Sequence, residues 1–103
     1  MKHVIQHDLD IPTAKRVADR AFESYKARFA DYDPTMRWES ERRAAIGFNA
    51  KGMKLSGIMD IEEKSIGVDL DVPFLLRPFK NIALEVIDRE VRLWVDKARA
   101  GEL

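Results

Sequence analysis

The spacing of apolar residues along the chain predicts two helices on either side of a run of strands. From Thr13 onward, apolar side chains recur in steps of three and four, which is typical of an amphipathic helix with one buried stripe. Asp10 offers a carboxylate that can cap the start of this helix. Asp33-Pro34 is predicted to end it, because the residue before a proline disfavours helical geometry. The stripe consists of Ala14, Val17, Ala18, Ala21, Phe22, Tyr25 and Phe29.

Between the two helices, apolar and polar residues alternate, which predicts antiparallel strands with one face against a core and one in solvent. Residues 4–9 are predicted to form an edge-like strand. Three or four more strands follow, depending on whether residues 36–39 and 42–50 form one bent strand or two separate ones. Lys51-Gly52 and residues 62–65 are the predicted hairpin turns.

A second helix is predicted from Pro78 to Ala100, with Gly101 just past its end. The predicted element order is β-α-β-β-β-α, or β-α-β-β-β-β-α if the first of the middle strands is divided. We therefore expect one α+β domain over residues 1–103, with both helices packed on one face of an antiparallel sheet of four to five strands. The apolar stripe of the second helix consists of Phe79, Ile82, Ala83, Val86, Ile87, Val91, Trp94, Val95 and Ala98.

The amino-acid composition limits the kinds of partner that the protein can bind and the kinds of chemistry that its side chains can perform. The 18 basic and 18 acidic residues balance to a formal charge of zero, so no field of one sign attracts nucleic acid, which is not expected as a partner. The absence of cysteine excludes disulfides, thiolate metal sites and a cysteine nucleophile. Without a signal-peptide pattern or an apolar run of about 20 residues, we expect a cytoplasmic protein with no membrane insertion. A homodimer would help so small a domain to bury apolar surface.

Titratable residues offer few candidates for catalysis or metal binding. His3 and His7 share one face of the first predicted strand but lie roughly 13 Å apart, too far to hold one metal ion, and we interpret them as solvated. Asp60, Asp69 and Asp71 lie on the polar faces of neighbouring strands and could converge as an acid–base group, although no pattern around them indicates burial. With no catalytic motif in the chain, we expect no enzyme activity, no metal and no cofactor.

Glu90 interrupts the apolar stripe of the second helix. A carboxylate at such a position needs a cationic partner or an exposed edge, and Arg20, Arg28 and Arg43 are the candidate partners. The aromatic residues of the stripes are ordinary core in the simplest interpretation. Alternatively, they line a cavity that holds an apolar or acyl ligand between Trp94 and the sheet.

The segment VPFLLRPFK, residues 72–80, places an apolar run between two prolines, on a connection between elements. One interpretation is that this run caps the end of the core. The other is an exposed apolar patch, edged by cations whose stems can lie along it, that contacts a partner, a second copy or a lipid-like surface. The candidate contact residues are Phe74, Leu75, Leu76, Arg77, Phe79 and Lys80.

Several stretches together resemble a known family. They are HDLD near the start, AFESYKARFADYDP, KGMKLSGIMDI, and DLDVPFLLRPFK followed by a long helix ending ARAGEL. They are similar to the small polyhydroxyalkanoic acid system proteins, the granule-region proteins of bacteria that store polyhydroxyalkanoate. The resemblance covers essentially the whole chain and is most specific from Asp69 to Phe79. It implies a role in storage-granule formation or regulation, with no catalytic residue to carry over.

The element order also resembles a shortened helix-grip domain, in which a long C-terminal helix closes a curved antiparallel sheet over an apolar cavity. That similarity concerns element order alone and carries little functional weight. Our leading hypothesis is a non-catalytic cytoplasmic protein at the granule surface, where the polymer, a granule-associated protein or a second copy is its partner. The alternative is a helix-grip-like binder of an apolar or acyl ligand, and an enzyme that uses the three aspartates comes third.

Overall fold

A computed structural model describes residues 2–50 and 52–103 of the chain. Its elements follow the order β1-α1-β2-β3-β4-β5-α2, which confirms the α+β class and selects the longer of the two predicted orders. The division arises because residues 39–42 bend between β2 and β3. The bounds are Lys2–Gln6 for β1, Ile11–Arg28 for α1, Thr35–Trp38 for β2, Arg43–Ala50 for β3, Met53–Ile61 for β4, Ser65–Asp71 for β5 and Lys80–Arg99 for α2.

The five strands form one open antiparallel sheet in the order β1-β5-β4-β3-β2. Strands β2 to β5 pair with their neighbours along the chain through consecutive hairpins. Strand β1 instead crosses to the far edge and pairs with β5, with Ile5 opposite Ile66. The first strand therefore lies at one edge of the sheet beside the last strand, β5. Helix α1 connects β1 to β2, which lies at the opposite edge.

Both helices lie on the apolar face of the sheet, as predicted. Helix α1 begins at the predicted cap, where the Asp10 carboxylate accepts a hydrogen bond from the backbone N–H of Thr13 at 2.8 Å. It ends at Arg28, earlier than predicted, because a short 3₁₀ turn occupies Ala30–Tyr32 before the chain enters β2. The buried core shared by helices and sheet consists of Ile5, Ala14, Val17, Ala18, Ala21, Met59, Ile61, Ile66, Val68, Leu70, Leu84, Val91 and Val95.

The predicted turns and helix end are largely found where expected. Gly52 follows β3 with φ +77°, a left-handed conformation that glycine adopts without strain, while Lys51 lies outside the described residues. The backbone N–H of Glu62 donates to the carbonyl of Ser65 at 2.8 Å and closes the β4–β5 hairpin. Gly101, with φ +73°, ends α2 as predicted.

The first strand is shorter than the predicted range of 4–9, and this changes the role of His7. Strand β1 ends at Gln6, and His7 is buried directly after it. Its Nδ1 accepts a hydrogen bond from the backbone N–H of Leu9 at 3.1 Å, so the ring proton is on Nε2, which donates to the carbonyl of Glu62 at 3.0 Å. The prediction of a solvated His7 is therefore wrong, because this imidazole bridges the end of β1 to the β4–β5 hairpin.

The start of α2 and the first residues of its buried stripe also differ from the prediction. The chain between β5 and α2 forms a 3₁₀ segment at Phe74–Phe79, with Pro78 inside it. The buried stripe of α2 begins at Leu84 and continues through Val91. Ile82 lies two positions from Leu84, or roughly 200° around the helix, and it is 57% exposed. Its predicted place in the buried stripe is therefore wrong.

Candidate functional site

The first candidate site is an exposed apolar surface where the chain enters α2. It comprises Phe74, Arg77, Phe79 and Ile82 and is called the Phe74 surface below. The Phe74 side chain is 77% exposed, and the Arg77 guanidinium lies over its ring at 5.5 Å from the centroid. Phe79 and Ile82 are also exposed, and their spacing of three residues places them on one side of the helix start.

The apolar exposure is concentrated at this surface. In the described part of the chain, the other exposed large apolar residues are Val4, Tyr32 and Leu93, which lie in three separate elements. Single exposed apolar residues are ordinary, whereas a cluster of them is typical of a contact site. The 74–82 region is therefore the strongest candidate for such a site in the described structure.

The remaining residues of the predicted patch are Leu75, Leu76 and Lys80. Leu76 is 2% exposed, so this residue agrees with the interpretation that the run caps the core. Its backbone N–H donates to the carbonyl of Pro73 at 2.9 Å, which closes the 3₁₀ turn over it. The side chains of Leu75 and Lys80 lie outside the described residues. The segment thus combines both interpretations, with Leu76 directed inward and Phe74 directed outward.

The second candidate site is centred on Glu90, which is 4% exposed. Its Oε2 accepts a hydrogen bond from Arg28 Nη1 at 3.0 Å, and its Oε1 accepts one from Trp94 Nε1 at 3.2 Å. The prediction of an arginine partner is confirmed at Arg28, while Arg20 and Arg43 pair with other carboxylates. Because the Arg28 side chain is 62% exposed, the ion pair connects the interior to the protein surface.

A pocket of about 60 Å³ lies beside this carboxylate and is called the Glu90 pocket below. It is enclosed by α1, α2 and the helix-facing side of the sheet, and it opens to solvent on one side. Glu90 is one of the lining residues, but the surface that faces the space is almost entirely apolar. The main lining side chains are Ala18, Ala21 and Phe22 of α1, Met59 and Val68 of the sheet, and Ile87 of α2.

Tyr25 is another of the residues that line the pocket. Its ring packs against Phe29, with the centroids 4.8 Å apart. Burial, and to a smaller extent the neighbouring Tyr32, raises the pKa of the Tyr25 phenol above its usual 10.0. The group therefore remains a neutral hydroxyl at physiological pH.

The position of the pocket differs from that of the predicted ligand site. Trp94 is not among the residues that line the pocket, but its indole N–H donates a hydrogen bond to the Glu90 carboxylate. The Lys97 ammonium lies 4.9 Å from the Trp94 ring centroid. The residues that leave the space open are Ala18 and Ala21, which sequence reasoning assigned to the helix stripe without further comment. Two alanines one turn apart on a buried stripe, combined with a buried Glu90, are the signal that could have indicated the pocket.

The other titratable candidates form separate interactions. His3 Nε2 lies within hydrogen-bond distance of Asp88 on α2, and Asp88 also accepts a hydrogen bond from Arg92. Asp60 pairs with Arg43 at 2.7 Å on the outer face of the sheet. Asp69 and Asp71, on that same face, are exposed, so the three aspartates do not form a buried carboxylate group. These contacts join elements together, and His3, Asp88 and Arg92 also line a wide cleft that is open to solvent.

Residues 2–50 and 52–103 contain neither a cluster of metal ligands nor a membrane-spanning helix. Within those ranges, no three histidine, aspartate or glutamate side chains come together as a set of metal ligands. Neither α1 nor α2, the two α-helices that the structure describes, is long and apolar enough to span a bilayer.

A family model described as "putative polyhydroxyalkanoic acid system protein" matches residues 3–94. No curated protein and no solved structure matches the chain. The helix-grip comparison therefore remains a prediction from element order, while the matched range includes both the Phe74 surface and the Glu90 pocket.

Proposed function

The chain belongs to the polyhydroxyalkanoic acid system protein family, and on that premise we propose that it acts without catalysis, by contact between the Phe74 surface and a polyhydroxyalkanoate granule. The single observation that supports this proposal is the 77% exposure of Phe74 in a stretch of the chain that also holds the exposed Phe79 and Ile82. In this proposal the protein works in the cytoplasm, at the granule surface.

The chemistry of the surface fits a solid polyester. Such a polymer presents alkyl groups and ester carbonyls but no charge. Burying an aromatic or aliphatic side chain stabilises a contact by about 1.5–3 kcal/mol, so Phe74, Phe79 and Ile82 can supply most of the affinity. The Arg77 guanidinium, which lies over the Phe74 ring, can donate hydrogen bonds to ester carbonyls while its stem covers apolar surface.

Co-sedimentation of the purified protein with polyhydroxybutyrate granules tests this proposal. The test variant is Phe74→Ser/Phe79→Ser, which changes two exposed positions and leaves Leu76 in place. Loss of two apolar contacts should weaken granule binding at least about tenfold, because each contributes more than one tenfold factor when fully buried. The melting temperature of the variant is measured alongside, because Phe79 is only 41% exposed and its replacement also removes packing within the fold.

The matched control is Leu93→Ser, on the same helix. Leu93 is 46% exposed and Phe79 is 41% exposed, so the two positions expose similar fractions of an apolar side chain. The control should sediment with granules as the wild type does. Equal binding by the wild type and the Phe74→Ser/Phe79→Ser variant would contradict the proposal, as would a wild type that stays in the supernatant.

A second candidate function is supported by the Glu90 pocket, which could hold a small apolar or acyl ligand. The supporting observation is the half-enclosed, mainly apolar space between the helices and the sheet. Native mass spectrometry of the protein after incubation with short-chain acyl esters tests this function. A bound ester that is lost on unfolding would support it, and an unchanged mass with every ester would count against it.

A further inference from the structure

The outer edge of β1 has no hydrogen-bonded neighbour among the residues that the structure describes. On its inner side, the backbone N–H of His7 donates to the carbonyl of Lys64 at 2.8 Å, in register with the pairing of β1 and β5. In an antiparallel pair such bonds involve every second residue. Ile5 therefore bonds toward β5, while the N–H and C=O groups of Val4 and Gln6 point away from the sheet.

The opposite edge of the sheet, β2, has protective features that the centre of β1 lacks. Strand β2 has only four residues, follows Pro34 and carries the Arg37 side chain, which is 81% exposed. Short length, proline and charge are features that keep an edge strand from pairing with another chain. The centre of β1 contains Val4 and Ile5, which are β-branched and favour strand pairing. Strand β1 is therefore the edge that is open to a further strand.

An exposed apolar side chain lies on each side of this edge. Val4 is 42% exposed and points to the outer face of the sheet, since the adjacent Ile5 is buried in the core. Leu93 of α2 is 46% exposed and lines the wide cleft beside β1, together with His3. A partner that covers both needs a strand beside β1 and a second layer beside α2. A second copy of the chain has both layers at this edge.

The charges along α2 also favour a second copy. The side of α2 that lines the cleft carries Glu85, Arg89 and Arg92, and the contact between Asp88 and His3 places Asp88 level with β1. A two-fold axis at this level reverses the direction of the second helix. Glu85, three positions before Asp88, would then face the position three after it in the second copy. That position lies between Arg89 and Arg92, so opposite charges would meet once on each side of the axis.

We propose that two copies of this chain associate through their β1 edges, with the two β1 strands antiparallel and the two α2 helices side by side. Such a contact is self-complementary, because the outward N–H and C=O groups of each β1 meet the same groups of the other strand. The two five-stranded sheets join into one continuous sheet. The contact does not use the Phe74 surface, so the proposal does not depend on granule binding.

Analytical ultracentrifugation of the wild type and of Val4→Pro tests the proposal. Proline removes the outward N–H and leaves the hydrogen bonds to β5, as is tolerated at an edge strand. By symmetry two bonds between the copies are lost, so dimerisation should weaken about ten- to a hundredfold. Val4→Ala keeps the N–H and should dimerise nearly as the wild type does. A wild type that is monomeric at about 1 mM would overturn the proposal.

Amide hydrogen exchange tests the wild type alone, so its result does not require that Val4→Pro folds. The Val4 amide should be protected, and its protection should fall on dilution as the dimer dissociates. Met36 is the control on β2: because Glu39 donates to the carbonyl of Arg43, the Met36 amide points outward from that edge. Met36 should exchange rapidly at every concentration. Rapid exchange of Val4 in a dimeric protein would show that the copies associate elsewhere and would contradict the proposal.

A charge reversal tests the placement of the α2 helices. Glu85→Lys would place like charges together and should weaken dimerisation about two- to tenfold, with a larger effect at low salt. Glu41→Lys makes the same change of charge at an exposed position between β2 and β3 and should have no effect. Equal effects of both variants would mean that only the net charge matters and would contradict the side-by-side arrangement of α2.

Discussion

The Glu90 pocket and the Phe74 surface both involve α2, and they depart from the usual distribution of side chains in opposite directions. At Glu90 a charged group lies inside, and at Phe74 an aromatic ring lies outside. The buried carboxylate has two hydrogen-bond donors in the described structure, so its desolvation is largely compensated. The Phe74 ring has a guanidinium above it but remains 77% exposed.

The difference shows which of the two sites is accounted for by the fold itself. A buried polar group must have partners for the domain to fold, so Glu90 with Arg28 is understandable as structure even without a ligand. An exposed aromatic group contributes little to folding, since its burial is not part of the native state. The Phe74 surface is therefore the part of the molecule that most requires a partner to explain it.

The largest expected effect is a difference in the free energy of unfolding between variants at Leu76 and at Phe74, two nearby residues of the 3₁₀ segment. Leu76→Ala should lower the free energy of unfolding by about 2–5 kcal/mol, because a buried leucine leaves a cavity. Phe74→Ala, two residues away, should change it by no more than about 0.5 kcal/mol, as an exposed position does. Urea denaturation of both variants measures the contrast. Similar losses in both would mean that Phe74 is packed in solution, and the comparison would fail.

A smaller effect is expected at the buried ion pair. Arg28→Ala leaves the Glu90 carboxylate buried with Trp94 as its described donor, and should lower stability by about 1–3 kcal/mol. The exposure of Arg28 favours the lower half of this range. Arg16→Ala, an exposed arginine on the same helix, serves as the control and should be nearly neutral. Thermal denaturation of both proteins measures the difference, and a neutral Arg28→Ala would indicate that water replaces Arg28 as the second donor to Glu90.

The smallest expected effect is a pH dependence at Asp88, which faces β1 from α2. Burial tends to raise the pKa of this carboxyl, but hydrogen bonds from Arg92 and His3 outweigh it and hold the pKa below its usual 3.8. The folded state therefore keeps Asp88 ionised at pH values where the unfolded chain takes up a proton. Its contribution is complete above the usual pKa and is lost as the pH falls through the lowered pKa.

The contribution of Asp88 is measured as the stability difference between the wild type and Asp88→Asn. We expect about 0.2–1 kcal/mol at pH 6, because such partly exposed pairs are weak, and a smaller difference at pH 3. A difference that grows as the pH falls would mean that the lowered pKa does not stabilise the fold. Unfolding at the two pH values in urea provides the measurement.

The sequence determined most of the fold because each predicted element rests on local periodicity. Strands β2 to β5 lie close to their predicted ranges, and Asp10 and Gly101 bound the helices as their capping chemistry implies. The pairing of β1 with β5 could not be predicted, since it joins residues from 59 positions apart (Gln6 and Ser65) to 67 positions apart (Lys2 and Asp69) and leaves no local signal. The burial of His7 follows from that long-range pairing and was missed for the same reason.

The candidate sites were predictable only in part. The proline-bounded run was visible in the sequence, but the inward direction of Leu76 and the outward direction of Phe74 depend on the 3₁₀ turn between them. The partner of Glu90 could be narrowed to three arginines and no further. The pocket itself depends on how closely α1 and α2 approach the sheet, and this packing is a tertiary property that no single stretch encodes.

The central claim is that the Phe74 surface contacts polyester, and site-specific labelling tests it most directly. The chain has no cysteine, so Phe74→Cys and Leu93→Cys can each carry one environment-sensitive fluorophore. On addition of polyhydroxybutyrate granules, the label at position 74 should shift to shorter wavelength because it enters an apolar contact, while the label at position 93 should stay unchanged. Equal shifts at both positions, or a shift at position 93 alone, would contradict the account.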